Sequence, residues 1–186
     1  MQIHKLKPYH ILDCEHLNSI QSECIFIIQN KLSTWQGDTW IDSTDCTIQF
    51  YKQCSSLREW LAQNNWKVKT TAITYIDGTE KRRNIPPHID QLPILTRVNI
   101  PILNCDQAIV SLFSISDEYR KTLDLTDQES CSLDINQCTK IDEYFLKQPI
   151  VFNTQVPHSV DPIPDAQYPR IMLTITLFDE LLDYLK

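Results

Sequence analysis

With 186 residues, the chain is long enough for one well-buried core and too short for two full domains. Apolar residues at 42% and charged residues at 22% are globular usage, which excludes an intrinsically disordered polymer. A net charge of -7 excludes a surface built for polyanions, because attraction to nucleic acid or anionic lipid is summed over many cationic contacts.

The start, Met1-Gln2-Ile3-His4-Lys5-Leu6-Lys7-Pro8, lacks the apolar stretch of a secretory signal. No run of roughly 18 apolar residues follows anywhere, so a soluble cytoplasmic protein with no membrane partner is expected. His4, His10 and His16 are six residues apart, a step that does not stack on one helix face, and are expected at the surface. Leu17, Ile20, Cys24, Ile27 and Ile28 recur at helical spacing, so residues 13–31 are predicted to form an amphipathic helix capped by Asp13 and packed across a sheet. Ser56-Leu57-Arg58-Glu59 has the form of a capping box, and Leu57, Trp60 and Leu61 give the short helix that follows an apolar face ending near Asn64-Asn65.

From residue 66 to 76 the β-branched and aromatic content rises, and Asp77-Gly78 carries a hairpin turn signal. Lys81-Arg82-Arg83 is the one basic cluster, read first as a solvated loop and second as a site for an anionic substrate near the mouth of the site. Residues 95–103, 108–115, 149–153 and 171–178 are short strand-like runs separated by turn residues. The polar stretch 117–142 reads as a long loop insertion, and 179–186 as a short terminal helix. The fold class that follows is mainly β with flanking helices, a sandwich or jelly roll. Only Gly37 and Gly78 are present, so neither a P-loop nor a dinucleotide fingerprint can be written. Seven cysteines, at 14, 24, 46, 54, 105, 131 and 138, form an odd set without a C-x-x-C pair, and are read as reduced thiols, several of them core filler.

Two histidines stand out in this β-rich context. In Pro87-His88-Ile89-Asp90 the prolines upstream favour extended backbone, so His88 and Asp90 project to one face. His158 in Val156-Pro157-His158-Ser159 would complete a two-histidine, one-carboxylate set, which on an octahedral ion leaves three positions open and suits Fe(II). Arg170 follows twelve positions later inside an apolar strand, where an unpaired guanidinium is costly; a bound dicarboxylate would be a fitting partner. In residues 95–102, Val98, Ile100 and Ile102 share one face while Arg97 and Asn99 share the other, either bordering the site or forming the outer side of an edge strand, with which Pro101 is compatible.

The H-x-D…H-x(n)-R arrangement resembles the Fe(II)/2-oxoglutarate-dependent dioxygenases with a double-stranded β-helix of cupin-like form, over roughly residues 87–178. Within them, Arg97-Val98-Asn99 and its spacing from His88 are most similar to the aspartyl/asparaginyl β-hydroxylase-like and proline-hydroxylase-like branch. The resemblance implies one domain over 1–186: an N-terminal cover (1–80), a β-helix core (81–178) and a terminal helix (179–186). It implies Fe(II) held by His88, Asp90 and His158, and 2-oxoglutarate clamped through its distal carboxylate by Arg170. Arg97 and Asn99 would contact cosubstrate or substrate. Many members place a serine two residues after that arginine; here Met172 occupies the position, and Thr174, on the same strand face, is the expected substitute. The implied reaction is hydroxylation of a C–H bond in a small molecule, amino acid or peptidyl side chain. Two other readings stand beside it: a cupin-like metal protein that does not turn over 2-oxoglutarate, and a metal-free β-sandwich interaction module in which the three residues would not converge.

Overall fold

The alternation in Arg170-Ile171-Met172-Leu173-Thr174-Ile175-Thr176-Leu177 organises the molecule, because successive side chains of a strand leave on opposite faces. In the computed structural model, which describes residues 3–31, 40–42, 50–79, 84–90, 92–125 and 130–186, this segment is strand β11 (Arg170–Leu177). Ile171, Leu173, Ile175 and Leu177 are buried against helices on the outside of the sheet, while Arg170, Met172 and Thr174 line a cavity on the inside.

β11 lies within a six-stranded sheet made with β1 (Tyr9–Ile11), β2 (Trp40–Asp42), β3 (Val68–Ile76), β5 (Thr96–Leu103) and β9 (Ile150–Asn153), in the order β1-β9-β5-β11-β3-β2. A five-stranded sheet faces it, ordered β7-β4-β10-β6-β8, from β4 (Ile85–Asp90), β6 (Ala108–Ser114), β7 (Ser130–Ser132), β8 (Thr139–Phe145) and β10 (His158–Pro162). All these neighbouring pairs are antiparallel. Two antiparallel sheets with helices on one outer face are a jelly roll, the mainly-β, double-stranded β-helix fold predicted above.

Helix α1 (Leu17–Lys31) buries the predicted stripe of Leu17, Ile20, Cys24, Ile27 and Ile28. Helix α2 (Ser55–Gln63) buries Leu57, Trp60 and Leu61. Both cover the outer face formed by Val98, Ile100, Ile102 and the odd-numbered residues of β11, and Gln21 Nε2 donates to the Pro101 carbonyl at 3.0 Å. At roughly 1.5–3 kcal/mol for each large apolar side chain taken from water, this cluster is the dominant source of stability. A second apolar cluster, with Val110, Leu112, Leu146, Phe152 and Val160, fills part of the space between the sheets.

Several predicted details differ. Asp13 does not cap α1: the helix begins at Leu17, the first intrahelical bond goes to His16 (Ile20 N–H to His16 O, 2.9 Å), and the Asp13 carbonyl accepts from Trp60 Nε1 at 3.1 Å. The Ser56–Glu59 box is not formed either. Glu23 of α1 instead receives the Ser56 N–H at 3.2 Å and both the Ser55 and Ser56 hydroxyls, an interhelical cap that no local pattern announces. Asp77-Gly78 turns the chain, with the Thr79 N–H donating to Asp77 Oδ1 at 2.9 Å, but the turn is not a hairpin, since β3 and β4 lie in different sheets. Within the N-terminal stretch, β3 joins the six-stranded sheet between β2 and β11.

The stretch 117–142 is not a structureless insertion. It holds helix α3 (Asp117–Lys121), β7 and the start of β8, an edge strand exposed at every residue but Tyr144 and therefore without readable alternation. β5 is not an edge strand: it lies between β9 and β11, and Pro101 is accommodated at the register shift opposite Met172, beyond the last β9 pair at Asn99. His4 and His16 are half-buried rather than free at the surface, and the terminal helix is a 3-10 turn, Leu182–Leu185. Lys81-Arg82-Arg83, Gly37 and Cys46 lie outside the described residues. The six described cysteines are free thiols, and among the described residues no helix is long and apolar enough to cross a membrane.

Candidate metal centre

β4 and β10 are adjacent in the five-stranded sheet, and their register sets His158 directly opposite His88. Asp90, two residues along β4, falls on the same face as His88, as the strand period requires. One ligand atom from each of His88, Asp90 and His158 lies within 4.8 Å of the others, and the two imidazole rings are 4.1 Å apart between centroids. The metal-free sandwich reading, in which the three would not converge, is thereby removed.

The tautomers follow from the backbone. His88 Nδ1 is 2.9 Å from the Pro86 carbonyl and His158 Nδ1 is 3.1 Å from the Val156 carbonyl. A carbonyl only accepts, so each Nδ1 carries the proton and donates it, leaving both Nε2 lone pairs for an ion. Burial, then the neighbouring His88, push the His158 imidazole down to about 3, which keeps it in the neutral, ligating form. Two imidazoles and one carboxylate form a nitrogen/oxygen donor set that fits a first-row divalent ion with open coordination positions.

The backbone holds these side chains in place. The Asp90 N–H donates to the Thr154 carbonyl at 3.2 Å, and Gln155 Nε2 donates to the Asp90 carbonyl at 3.3 Å. Thr154 Oγ1 in turn donates to the Ile94 carbonyl at 2.6 Å. The segment before His158 is thus tied to the segment after Asp90, so the two halves of the ligand set move as one. Arg97 Nη1 lies 3.1 Å from Asp90 Oδ2, whereas Asp90 Oδ1 is 3.8 Å from His88 Nε2.

The centre opens into a cavity of about 370 Å³ between the sheets. Arg97, Asn99, Arg170 and Thr174 all line it, together with apolar side chains that include Ile85, Ile94, Leu146 and Met172. Arg170 is only 3% exposed, and its Nε and Nη1 have no hydrogen-bond partner among the described residues. Thr174 does not turn its hydroxyl to Arg170: it donates to Asn99 Oδ1 at 3.0 Å. Two further residues of the cavity escaped the sequence analysis. Thr74, cross-strand from Met172, has a buried hydroxyl without a partner, and the Tyr144 hydroxyl, raised above its usual range by burial, feels the Arg170 charge. Thr74 is legible only once β3 is paired with β11; Tyr144 was hidden because β8, mostly exposed, shows no alternation and was not predicted as a strand.

No protein-family model matches the sequence, and no curated protein matches it. Solved structures do match in fold. The epimerase SnoN, solved with Fe3+, alpha ketoglutarate and nogalamycin RO, superposes with a TM-score of 0.59 at 11% identity, over 95% of this chain and 80% of that one. SnoK, a non-heme alpha ketoglutarate dependent carbocyclase from nogalamycin biosynthesis, gives 0.56 at 11% identity, over 95% and 82%. EvdMO1 gives 0.52 at 12% identity, over 94% of this chain and 48% of its own. At such identities the likeness is one of architecture: the chain has the fold on which the non-heme, alpha ketoglutarate dependent enzymes SnoN and SnoK are built.

Proposed function

We propose that the chain is an Fe(II)- and 2-oxoglutarate-dependent oxygenase that hydroxylates a C–H bond of a small molecule or of an amino-acid or peptidyl side chain. Arg170 carries this reading. A guanidinium buried to 3% exposure with two nitrogens unpartnered costs several kcal/mol unless a ligand answers it, and its planar fork matches a carboxylate bidentately. It shares one cavity with His88, Asp90 and His158, and a dicarboxylate seated there would meet the guanidinium at one end and the metal at the other.

Bound iron would supply the chemistry of dioxygen activation coupled to oxidative decarboxylation of 2-oxoglutarate. The chain's own part is placement and exclusion. His88, Asp90 and His158 would hold the ion on one face; Arg170 would anchor the cosubstrate in the cavity that the Thr74 and Tyr144 side chains also line; Ile85, Ile94, Leu146 and Met172 would keep water from the reacting atoms. Unpaired cysteines suit a reducing, cytoplasmic setting.

The test is anaerobic loading with Fe(II) and 2-oxoglutarate, followed by exposure to isotopically labelled dioxygen and assay of succinate and of labelled oxygen in candidate products. Succinate with label in the product is expected. Metal binding without any 2-oxoglutarate binding would replace this reading by the cupin-like, non-oxidative one, and succinate with an unlabelled, rearranged product would replace hydroxylation by epimerisation or cyclisation, the activities that name SnoN and SnoK.

A further inference from the structure

Asp90 is gripped by its two oxygens in different ways. Oδ1 lies on the His88 side, 3.8 Å from Nε2, while Oδ2 is 3.1 Å from Arg97 Nη1, and the side chains of both partners are largely buried, at 11% and 14% exposure. The Asp90 backbone is fixed at its N–H by Thr154 and at its carbonyl by Gln155, so rotation of the carboxylate is the main freedom left to it. Arg97 itself is held in β5 opposite Phe152 of β9, in the interior of the other sheet, and reaches across the cavity to do this.

We propose that Arg97 is a positioning residue that sets the denticity of Asp90: by occupying Oδ2 it makes Asp90 a one-oxygen ligand and keeps three coordination positions of the metal open. The inference rests on the reading of His88, Asp90 and His158 as a metal site, and it gives Arg97 a task distinct from binding cosubstrate. A carboxylate free of such a partner can turn both oxygens to a divalent ion, and each position it takes is lost to cosubstrate or dioxygen. The expected sign is informative. Removing a cation beside the site does not weaken attraction for a divalent ion, so loss of Arg97 should leave metal affinity unchanged or tighter while reducing the number of open positions. A residue of merely structural value would do the reverse, loosening the metal.

The experiment uses the whole protein loaded with Mn2+ alone, comparing wild type, Arg97→Met and Arg97→Gln by water-proton relaxivity and by Mn2+ titration, with thermal melts to identify folded variants. The expected result is Mn2+ affinity equal to or above wild type, with relaxivity per bound ion lower by about a third in Arg97→Met as three exchangeable positions become two. Arg97→Gln, which keeps an N–H able to donate to Oδ2, should recover part of that loss and serves as the comparison if Arg97→Met does not fold. Relaxivity equal to wild type in a folded variant, or affinity lowered tenfold with relaxivity kept, overturns the proposal. If wild type itself binds no Mn2+, the metal-site reading fails, and the role of Arg97 falls with it.

Discussion

At the scale of single residues, the unusual feature is a buried charged group with two nitrogens that have no partner among the described residues. Arg170 Nε and Nη1 are buried and unsatisfied, so the ligand-free protein carries a desolvation cost that substitution can remove. Arg170→Met retains most of the stem volume, and the ligand-free variant is expected to melt at the same temperature as wild type or higher; a marked drop would mean the guanidinium is structurally engaged. That expectation inverts the usual outcome for buried positions, where most substitutions cost about 1 kcal/mol. The residues that were legible in the sequence share this character of anomaly: His88, Asp90, His158 and Arg170 are polar groups at spacings or in surroundings that folding alone does not ask for. Thr74 and Tyr144 were not legible, because a threonine or tyrosine in a strand is ordinary and only pairing across strands brings it to the cavity. The carboxylate-binding hydroxyl expected at Thr174 illustrates the same limit, since strand parity gave its face correctly but not its donation to Asn99.

At the scale of elements, the joints that matter are those between helices and turns that hold the outer layer on the six-stranded sheet. Burial raises the Glu23 carboxyl, but hydrogen bonds from Cys54, Ser56 and Ser55 outweigh it and leave the value below the usual carboxylate range. A folded value below the unfolded one means that the unfolded chain takes up the proton first. The contribution of Glu23 is therefore complete above about pH 4.3 and is lost as pH falls through its folded value. Glu23→Gln is expected to cost about 1 kcal/mol at pH 7 in urea denaturation, as loss of a helix cap does, and to narrow its gap to wild type in acid; a gap independent of pH would contradict the cap. Gly78 is a second joint. It holds φ at +83°, and an added Cβ would come within 2.6 Å of the Tyr168 ring. Gly78→Ala is expected to lower stability by about 1–3 kcal/mol, and a neutral effect in the same denaturation experiment would show that the β3–β4 crossing can relax. The helices and the long strands were readable because their apolar period matches their geometry. Edge strands β7 and β8 and the cross-sheet destination of the Asp77-Gly78 turn were not, since β7 is three residues long, β8 is mostly exposed and shows no alternation, and a turn signal does not name the sheet that receives the chain.

At the scale of the whole molecule, the two sheets divide the labour. The six-stranded sheet carries its stability on the outer face, through the α1 and α2 cluster, and gives its inner face to Arg97, Asn99, Thr74, Arg170 and Thr174. The five-stranded sheet brings the candidate metal ligands together from two adjacent strands, β4 and β10. Stability and chemistry thus lie on opposite faces of the same strands, β5 and β11, which lets polar residues line a cavity without unfolding the sheet behind it. The central claim is that one cavity binds a metal and a dicarboxylate together, and calorimetric titration of 2-oxoglutarate into the anaerobic, metal-loaded protein tests it most directly. The expected result is saturable one-to-one binding that requires metal, vanishes in His88→Ala because the ion is lost, and weakens at least about 30-fold in Arg170→Met while the ion is retained, a loss of about 2 kcal/mol for one truncated partner of a buried charge pair. Equal 2-oxoglutarate affinity in wild type and Arg170→Met, or binding indifferent to metal, would contradict the account.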